Sequence, residues 1–341
     1  DKTSSVLASN MSVSVVSKRR SNLGEGPHWD CTSNTLLHID AHLGDVCRLN
    51  VLSHETDSIH LDGLVTIVIP YRSNPDLAAI TLDRQVRKLN WTTKGTELLA
   101  EVDQGKINNH FNDGKCDVTG RLWAGAYGIK GKEECPDDID PEKGTLYSFD
   151  PPGMEPKAHV HKISISNGMT WSPDSKKFFY IDSFTRIIYS FDFNAATGEL
   201  TNQQVFLDFN KVEAYKDKGY PDGMTHDIEG KLWVACYDAS RVIRIDPETG
   251  KLLQEVTFPA TKITSLCFGG QNYEDLYVTS AWRGLSDEER KNNLMRERSS
   301  GSRSWGPEDF NPTPSTFDVF QHLKVAVNTH LYENMSIVCT I

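Results

Sequence analysis

Short apolar runs separated by polar turns recur along the chain and predict β-strands. In Gly144–Asp150 (GTLYSFD), Arg186–Asp192 (RIIYSFD) and Arg241–Asp246 (RVIRID), apolar residues alternate with polar ones. Glycine-containing turns follow two such runs, at NAATG (194–198) and DPETG (246–250), where glycine supplies the positive φ that a hairpin requires. Helical spacing of apolar residues is absent from this pattern. The sequence therefore predicts an all-β protein.

A longer similarity repeats along the chain. Residues Asp117–Tyr127 (DVTGRLWAGAY) match Asp227–Tyr237 (DIEGKLWVACY) almost position by position. Weaker copies, which bring the number of units to six, lie at 29–40, 73–80, 171–182 and 268–279. The interval between units, roughly 40 to 55 residues, is typical of propeller blades. We therefore predict a six-bladed β-propeller in preference to an irregular β-sandwich.

Four oxygen-bearing side chains occupy the same place in four of these units. Glu25, Asn112, Asn167 and Asp222 each stand five residues before the aligned turn, and glycine follows each at once or one residue later. Equivalent positions on the inner strands of successive blades converge on the central axis. Two carboxylates and two amides brought together there predict a site for a hard divalent cation such as Ca²⁺, Mg²⁺ or Mn²⁺. A cation also relieves the repulsion between the two carboxylates.

Taken alone, each of these motifs also fits an ordinary turn or loop. Asn167-Gly168 is a strong hairpin-turn signal, and Asp222 lies in a Pro-Asp-Gly tripeptide that is common in turns. Glu25 equally fits a solvated loop. The shared position favours the metal site, because turns need not fall at the same place in every blade.

Composition and charge exclude several classes of partner. A formal net charge of −11 argues against nucleic acid and against an anionic membrane surface. The most apolar run, LVTIVIP (64–70), is too short to span a bilayer. The seven cysteines are dispersed without paired spacing, so we expect reduced thiols in a cytoplasmic protein. We expect a monomer or weak dimer whose partner is a small-molecule substrate.

Six motifs carry a resemblance to a known family. They are, in chain order, LGEGPHW (23–29), NHFNDGK (109–115), ISNGMTW (165–171), YIDS (180–183), PDGM (221–224) and GKLWVACY (230–237). In this order and at this spacing they resemble the family of regucalcin (senescence marker protein), gluconolactonase and luciferin-regenerating enzyme, and the animal regucalcins most closely. The resemblance, which runs from Met11 to Arg290, implies a six-bladed propeller that binds one divalent cation on its axis and hydrolyses aldonolactones.

The resemblance also implies roles for individual residues. Glu25, Asn167 and Asp222 match the family's metal ligands, with Ca²⁺ favoured and Zn²⁺, Mn²⁺ and Mg²⁺ left open. Asp222 also matches the catalytic base, which accepts a proton from the attacking water. Asn112 matches a residue that contacts the substrate and approaches the metal.

Two substrate-binding positions depart from the animal regucalcins. His110 stands where those proteins usually have arginine, and Lys130 stands where they have an acid. An imidazole cannot reproduce the fork of hydrogen bonds that a guanidinium makes. The preference for gluconolactone or gulonolactone is therefore open.

The resemblance also divides the chain into three parts. We expect a non-native or disordered leader over 1–10, a propeller lactonase domain over 11–290 and an atypical C-terminal segment over 291–341 that is loop or disordered. The family's closing strand pair has no counterpart after Arg290, so we expect an incomplete last blade. A strand over Phe320–Val327 is the alternative.

Taken together, the sequence predicts a metal-dependent, gluconolactonase-like carboxylic ester (lactone) hydrolase that acts on an aldonolactone such as glucono- or gulonolactone. A calcium-binding regulatory protein and a luciferin-regenerating-type hydrolase are the alternatives. A propeller that serves only as a protein-binding platform is a third. Turnover of lactones separates these hypotheses.

Overall fold

The described part of the chain is built almost entirely of β-strands. The computed structural model describes residues 13–17, 19, 21–130 and 138–291, together with the backbone of 323–326. The predicted leader (1–10) and most of the predicted C-terminal segment lie outside the described residues. A 3-10 turn at Glu213–Tyr215 and a short helix over 287–291 accompany the strands. Within this part of the chain, no helix is both long and apolar enough to cross a bilayer.

Consecutive strands form the first three sheets, all antiparallel. The first sheet contains β2 (Gly24–Asp30), β3 (Thr35–Asp40), β4 (Asp45–Asn50) and β5 (Glu55–His60). The second contains β6 (Val68–Tyr71), β7 (Asn74–Leu82), β8 (Gln85–Asn90) and β9 (Thr96–Glu101). The third contains β10 (Asn109–Cys116), β11 (Leu122–Ile129), β13 (Gly144–Phe149) and β14 (Pro156–Ile163), with β12 (Ile139–Asp140) paired to β11.

The next two sheets repeat this arrangement. The fourth contains β15 (Ser166–Trp171), β16 (Lys177–Asp182), β17 (Ile187–Asn194) and β18 (Glu199–Asp208). The fifth contains β19 (Tyr220–His226), β20 (Leu232–Tyr237), β21 (Arg241–Ile245) and β22 (Leu252–Thr257). In each sheet the first strand along the chain is also the first in the spatial order.

The sixth sheet joins the two ends of the described chain. Its strands, in spatial order, are β23 (Lys262–Gly269), β24 (Asp275–Ala281), β25 (Leu323–Ala326) and β1 (Val13–Val15). β25 pairs with β24 on one side and with β1 on the other. The sheet thus has four strands where an incomplete last blade was expected. Its third strand lies in the stretch, 320–327, that the sequence left open as a strand.

Neighbouring sheets pack face to face around a common axis. Each pair encloses a layer of buried apolar side chains, such as Val46 and Ile80 between the first two sheets. The last sheet packs on the first, where the rings of Trp29 and Tyr277 stack with their centroids 5.4 Å apart. Thr264 Oγ1 also donates a hydrogen bond to the Gly24 carbonyl oxygen at 2.6 Å. The fold is therefore an all-β propeller, as the repeat predicted.

A buried carboxylate explains the sequence of the repeat. In the first copy, Trp123 Nε1 donates to Asp117 Oδ2 at 3.0 Å, and the N–H of Thr119 donates to Oδ1 at 2.8 Å. In the second copy, Trp233 Nε1 donates to Asp227 Oδ2 at 2.9 Å. The aspartate thus closes the turn after the inner strand and satisfies the indole of the next strand. An unpaired buried N–H is costly, so aspartate and tryptophan recur together.

Candidate functional site

A β-bulge interrupts the inner strand of five sheets at the same level. The ladder skips two residues between Glu25 and His28, Phe111 and Gly114, Ser166 and Met169, Pro221 and Met224, and Ile263 and Leu266. Bulges bend a strand and redirect its side chains. Asn112, Asn167 and Asp222 are the first residues of their bulges, so these motifs lie within strands. The interpretation of Asn167-Gly168 as a hairpin turn is therefore wrong.

Glu25 lies one residue before the bulge of its strand, whereas the other three candidate ligands lie within theirs. It is still paired with Ile39, and the bulge consists of Gly26 and Pro27. The turn after β2 has four residues (31–34), whereas the turn after β19 has five (227–231). Counting five residues back from the turn therefore did not give Glu25 the same register. The alignment of the repeat was therefore wrong by one residue at this position, because Gly26 and not Glu25 is the ladder equivalent of Asp222.

Glycines at this level allow the inner strands to approach one another. A Cβ built on Gly168 would lie 2.4 Å from the Asp222 carbonyl oxygen and 2.5 Å from the Met224 nitrogen. A Cβ on Gly223 would lie 2.2 Å from Ser265 Oγ. Real Cβ atoms do not approach other atoms so closely, and only glycine fits. The glycines thus bring β15, β19 and β23 side by side at the axis.

Three carboxyl groups influence one another here, of which Asp222 is buried and Glu25 and Asp113 are half-buried. Burial, and then the charges of Asp222 and Asp113, raises the pKa of Glu25 well above its ordinary value. Burial, and then the charge of Asp113, raises the pKa of Asp222 in the same way. The pKa of Asp113 is also raised by burial, although Lys115 opposes the shift. Like charges in a desolvated site disfavour ionisation, so the arrangement favours a bound cation.

Amide groups complete the polar surface of the site. The Asn167 side chain hydrogen-bonds to the Asp222 carboxylate and opposes the rise in its pKa. Asp222 Oδ1 is buried and has no hydrogen-bond partner among the described residues. Asn112 Nδ2 donates to the Ser166 carbonyl oxygen at 2.7 Å, which fixes the orientation of this amide. A buried carboxylate oxygen without a partner is unfavourable unless a ligand satisfies it.

The donor set fits a hard divalent cation better than a soft one. Glu25 and Asp222 offer carboxylate oxygens, and Asn167 offers an amide oxygen, which are ligands that Ca²⁺ and Mg²⁺ accept. Within the residues that the structure describes, no group of three or more His, Cys, Asp or Glu side chains is arranged to hold a metal ion. A cation site at this position therefore depends on the asparagine amides. The ligand roles of Glu25, Asn167 and Asp222 stay predictions.

Sequence reasoning missed two charged residues of this site. The sequence analysis assigned no role to Asp113, yet its carboxylate influences both Glu25 and Asp222. Lys115 Nζ donates to the Met224 carbonyl oxygen and opposes the rise in the pKa of Asp113. The signal was the run NDGK (112–115), which places an acid and a base at alternate positions after Asn112.

His110 and Lys130, the two departures from the family, occupy different environments. His110 is paired with Tyr127 in the ladder, and their ring centroids are 6.4 Å apart. Its Nδ1 lies 3.7 Å from Asp83 Oδ1, which is an ion-pair contact rather than a hydrogen bond, and the imidazole lowers the pKa of Asp83. Lys130 directly follows β11 and is exposed, and its N–H donates to the Asp138 carbonyl oxygen at 2.7 Å. Their substrate-binding roles stay predictions.

Comparison with known proteins places this site in a family. The model of the "SMP-30/Gluconolactonase/LRE-like region" matches residues 23–282. Regucalcin from Gallus gallus is 41% identical over 280 residues, which cover 82% of this chain and 90% of that protein. Regucalcin from Homo sapiens is 39% identical over 293 residues, which cover 86% and 93%.

Solved structures show the same fold. A luciferin-regenerating enzyme superposes with a TM-score of 0.79 at 30% identity and covers 97% of this chain and 100% of that one. A regucalcin from Agrobacterium tumefaciens, at 23% identity, has a TM-score of 0.76, covers 95% and 98%, and supports the fold alone. The matched region contains Glu25, Asn112, Asn167 and Asp222. The chain therefore belongs to the SMP-30/gluconolactonase/LRE-like family.

Proposed function

We propose that this protein is a gluconolactonase-like hydrolase that opens a small lactone with the help of one divalent cation. The observation that carries the proposal is the interacting pair of half-buried Glu25 and buried Asp222, with one Asp222 oxygen lacking a hydrogen-bond partner within the described residues. Membership of a family whose description names gluconolactonase supports hydrolysis of lactones. Aldonolactones such as glucono- and gulonolactone are the class that the family implies.

We propose Glu25, Asn167 and Asp222 as the ligands of this cation. Ca²⁺ is the first choice, because the donors are all oxygen and the related proteins are regucalcins, one of whose structures is titled a calcium-binding protein. Zn²⁺, Mn²⁺ and Mg²⁺ are the other candidates. When bound, a divalent cation polarises a carbonyl group and lowers the pKa of water.

The chain's own residues perform the remaining work. The Asp222 carboxylate accepts the proton of the attacking water as its oxygen bonds to the lactone carbonyl carbon. The ring ester C–O bond then breaks, the leaving oxygen takes the proton from Asp222, and the product is a hydroxy acid. The Asn112 amide, held by Ser166, orients the substrate, and His110 and Lys130 contact its substituents. The hydrogen bond from Asn167 keeps the Asp222 carboxylate in place.

The arrangement of the sheets, the oligomeric state and the cellular compartment are also proposals. We propose that all six sheets are blades of one ring, which the packing of Trp29 on Tyr277 and the hydrogen bond from Thr264 to Gly24 support. We propose a cytoplasmic monomer or weak dimer that acts on a small molecule. The free thiols of the described cysteines, such as Cys47 and Cys236, support a reducing compartment.

A lactone panel tests the proposed function. Purified protein is stripped with EDTA, reloaded with Ca²⁺, Mg²⁺, Mn²⁺ or Zn²⁺, and assayed on sugar and non-sugar lactones. We expect EDTA to abolish turnover and at least one cation to restore it. The Asp222→Asn variant should lose about 100-fold or more in kcat/KM, which is the usual contribution of a general base.

The matched control is Asp192→Asn, which removes an exposed carboxylate that pairs with Lys177. This variant should keep the wild-type rate. Full activity of metal-loaded Asp222→Asn would contradict the proposed role of Asp222. A wild-type protein that binds Ca²⁺ but hydrolyses none of the lactones would instead support the calcium-binding regulatory function.

A further inference from the structure

The turn between β16 and β17 is tied to the strands that carry the candidate ligands. The N–H of Ser183 donates to the Ile165 carbonyl oxygen at 3.1 Å, immediately before β15. Ser183 Oγ donates to the Pro221 carbonyl oxygen at 2.5 Å, and Arg186 Nε donates to the Gly219 carbonyl oxygen at 2.8 Å. Three hydrogen bonds thus fix this turn at the starts of β15 and β19.

Two exposed aromatic side chains stand at this fixed position. Phe184, in the turn itself, is 44% exposed, and Tyr220, the first residue of β19, is 46% exposed. Tyr220 lies two residues before Asp222, and the guanidinium of Arg186 lies 5.8 Å from the centre of its ring. A large apolar surface held on a fixed backbone loses little conformational entropy when it binds a ligand.

A third aromatic residue links these two to the interior of the site. Tyr237 is the direct partner of Tyr220 in the ladder between β19 and β20. Lys262 Nζ lies 3.1 Å from the Tyr237 hydroxyl and 4.4 Å from the centre of its ring, which fixes the ring in place. Burial raises the pKa of Tyr237, although Lys262 opposes the shift. Asp222, two residues after Tyr220, belongs to the same pair of strands. Phe184, Tyr220 and Tyr237 form what we call the aromatic wall.

The third sheet carries the rings of His110 and Tyr127, and His110 stands where the animal regucalcins usually have an arginine. His110 is the partner of Tyr127, and its imidazole contacts Asp83. A polyhydroxy sugar needs directed hydrogen bonds, and this position lacks the guanidinium fork that would donate two of them. The start of β10, like the aromatic wall, therefore favours an apolar or aromatic ligand over a polyhydroxy one.

We propose that the aromatic wall binds an aromatic or alkyl substituent of the substrate, so that the preferred substrates are lactones that carry such a group rather than aldonolactones. This inference rests on the proposed lactone hydrolysis and names the substrate class for the same site. Hydrolysis proceeds as before: water adds to the carbonyl carbon, the ring ester bond breaks, and the product is a hydroxy acid with an apolar substituent.

Two δ-lactones of opposite character test the inference. 3,4-Dihydrocoumarin carries a fused aromatic ring, and glucono-δ-lactone carries hydroxyl groups. With the metal-loaded wild-type protein, and after subtraction of spontaneous hydrolysis, we expect kcat/KM to be at least about 10-fold higher for dihydrocoumarin, the range that apolar contacts give. The Phe184→Ala/Tyr220→Ala variant should lower the ratio of the two kcat/KM values by about 10-fold.

The control is Leu52→Ala, which removes an exposed apolar side chain in the turn between β4 and β5 and should keep the wild-type ratio. Circular dichroism melts check folding, and Phe184→Ser replaces the double variant if that one does not fold. A wild-type preference for gluconolactone, or an unchanged ratio in a folded variant, would overturn the inference and leave the proposed function standing. Failure of the wild type on both lactones with all four cations would refute both.

Discussion

Lys115 and Met224, which are 109 positions apart in the chain, are joined by a hydrogen bond of 2.7 Å from Nζ to the carbonyl oxygen. The two residues belong to the first strands of the third and fifth sheets. Met224 follows Asp222 by two residues in β19. Lys115 therefore couples the strand that carries Asn112 to the strand that carries Asp222.

Replacing this lysine should change the pKa of a histidine on another sheet. Burial, and then the charge of Lys115, lowers the pKa of His28 to about 4. In Lys115→Met the positive charge is gone, so the pKa of His28 should rise, as measured by NMR titration of the imidazole protons. The control is Lys211→Met, which removes an exposed lysine and should leave His28 unchanged. An unchanged pKa in Lys115→Met would contradict the position that we assign to the ammonium group.

Adding one methyl group at Gly168 should separate the inner strands. The new Cβ would meet backbone atoms of Asp222 and Met224 at 2.4 and 2.5 Å, and backbone cannot rotate away as a side chain can. We expect Gly168→Ala to lower the free energy of unfolding by about 1–3 kcal/mol and to weaken cation binding in calorimetry.

Gly153→Ala is the matched control, because nothing lies within 4 Å of its new Cβ. It should change neither stability nor cation binding. Wild-type cation affinity in Gly168→Ala would show that the close approach of β15 and β19 is not needed for the site.

Loss of the buried aspartate of the repeat should lower the free energy of unfolding more than loss of an exposed acidic residue. Asp117 accepts hydrogen bonds from Trp123 Nε1 and from Arg121 Nη1, and Arg121 is itself almost fully buried. Asp117→Ala leaves Trp123 Nε1 without its acceptor and removes the buried carboxylate that pairs with Arg121, which keeps only Asp150 and the Ala195 carbonyl oxygen. We therefore expect a loss of about 3 kcal/mol in the free energy of unfolding by urea. Glu213→Ala, which removes an exposed ion pair with Lys216, should change it by less than about 0.5 kcal/mol. Equal effects of the two substitutions would refute this explanation of the repeat.

Stability should fall at mildly acidic pH because of His226. Burial, and then the charge of Lys115, lowers its pKa to about 4, and its Nδ1 lies 2.7 Å from Thr170 Oγ1. The unfolded value is about 6.5, so the neutral ring contributes fully above that pH and the contribution is lost as the pH falls toward 4. Between pH 7.5 and 5.0 the wild type should lose about 1–2 kcal/mol more than His226→Gln. Parallel losses in urea unfolding would show that His226 is protonated in the folded state.

The strands and the repeat could be predicted because each depends on local sequence. Turn glycines, alternating apolar residues and the Asp117 to Trp123 spacing all act within a few residues of one another. The register of Glu25 could not be predicted, because it depends on how β2 pairs with β3 and on a turn that is one residue shorter. A count along the chain does not detect that difference.

The residues of the candidate site were predicted in part. Asn112, Asn167 and Asp222 were proposed from their shared place in the repeat, and Glu25 from a place that is one residue out of register. The charges of Asp113 and Lys115 were missed. Their importance comes from contacts with residues about 90 to 110 positions away, such as Glu25 and Met224. The run NDGK (112–115) shows both charges, but it does not show which distant residues they influence. The aromatic wall was missed for the same reason, since only the pairing of β19 with β20 and the fixed turn bring Phe184, Tyr220 and Tyr237 to the same end of the fifth sheet.

The most direct test of the account is anomalous diffraction from crystals grown with Mn²⁺, an oxygen-seeking cation that stands in for Ca²⁺. We predict one strong peak on the propeller axis, within about 2.5 Å of oxygens of Glu25, Asn167 and Asp222. The peak should disappear in crystals of Glu25→Gln/Asp222→Asn. A peak elsewhere, or no peak at a Mn²⁺ concentration that supports lactone hydrolysis, would contradict the central claim that these three residues bind the catalytic cation.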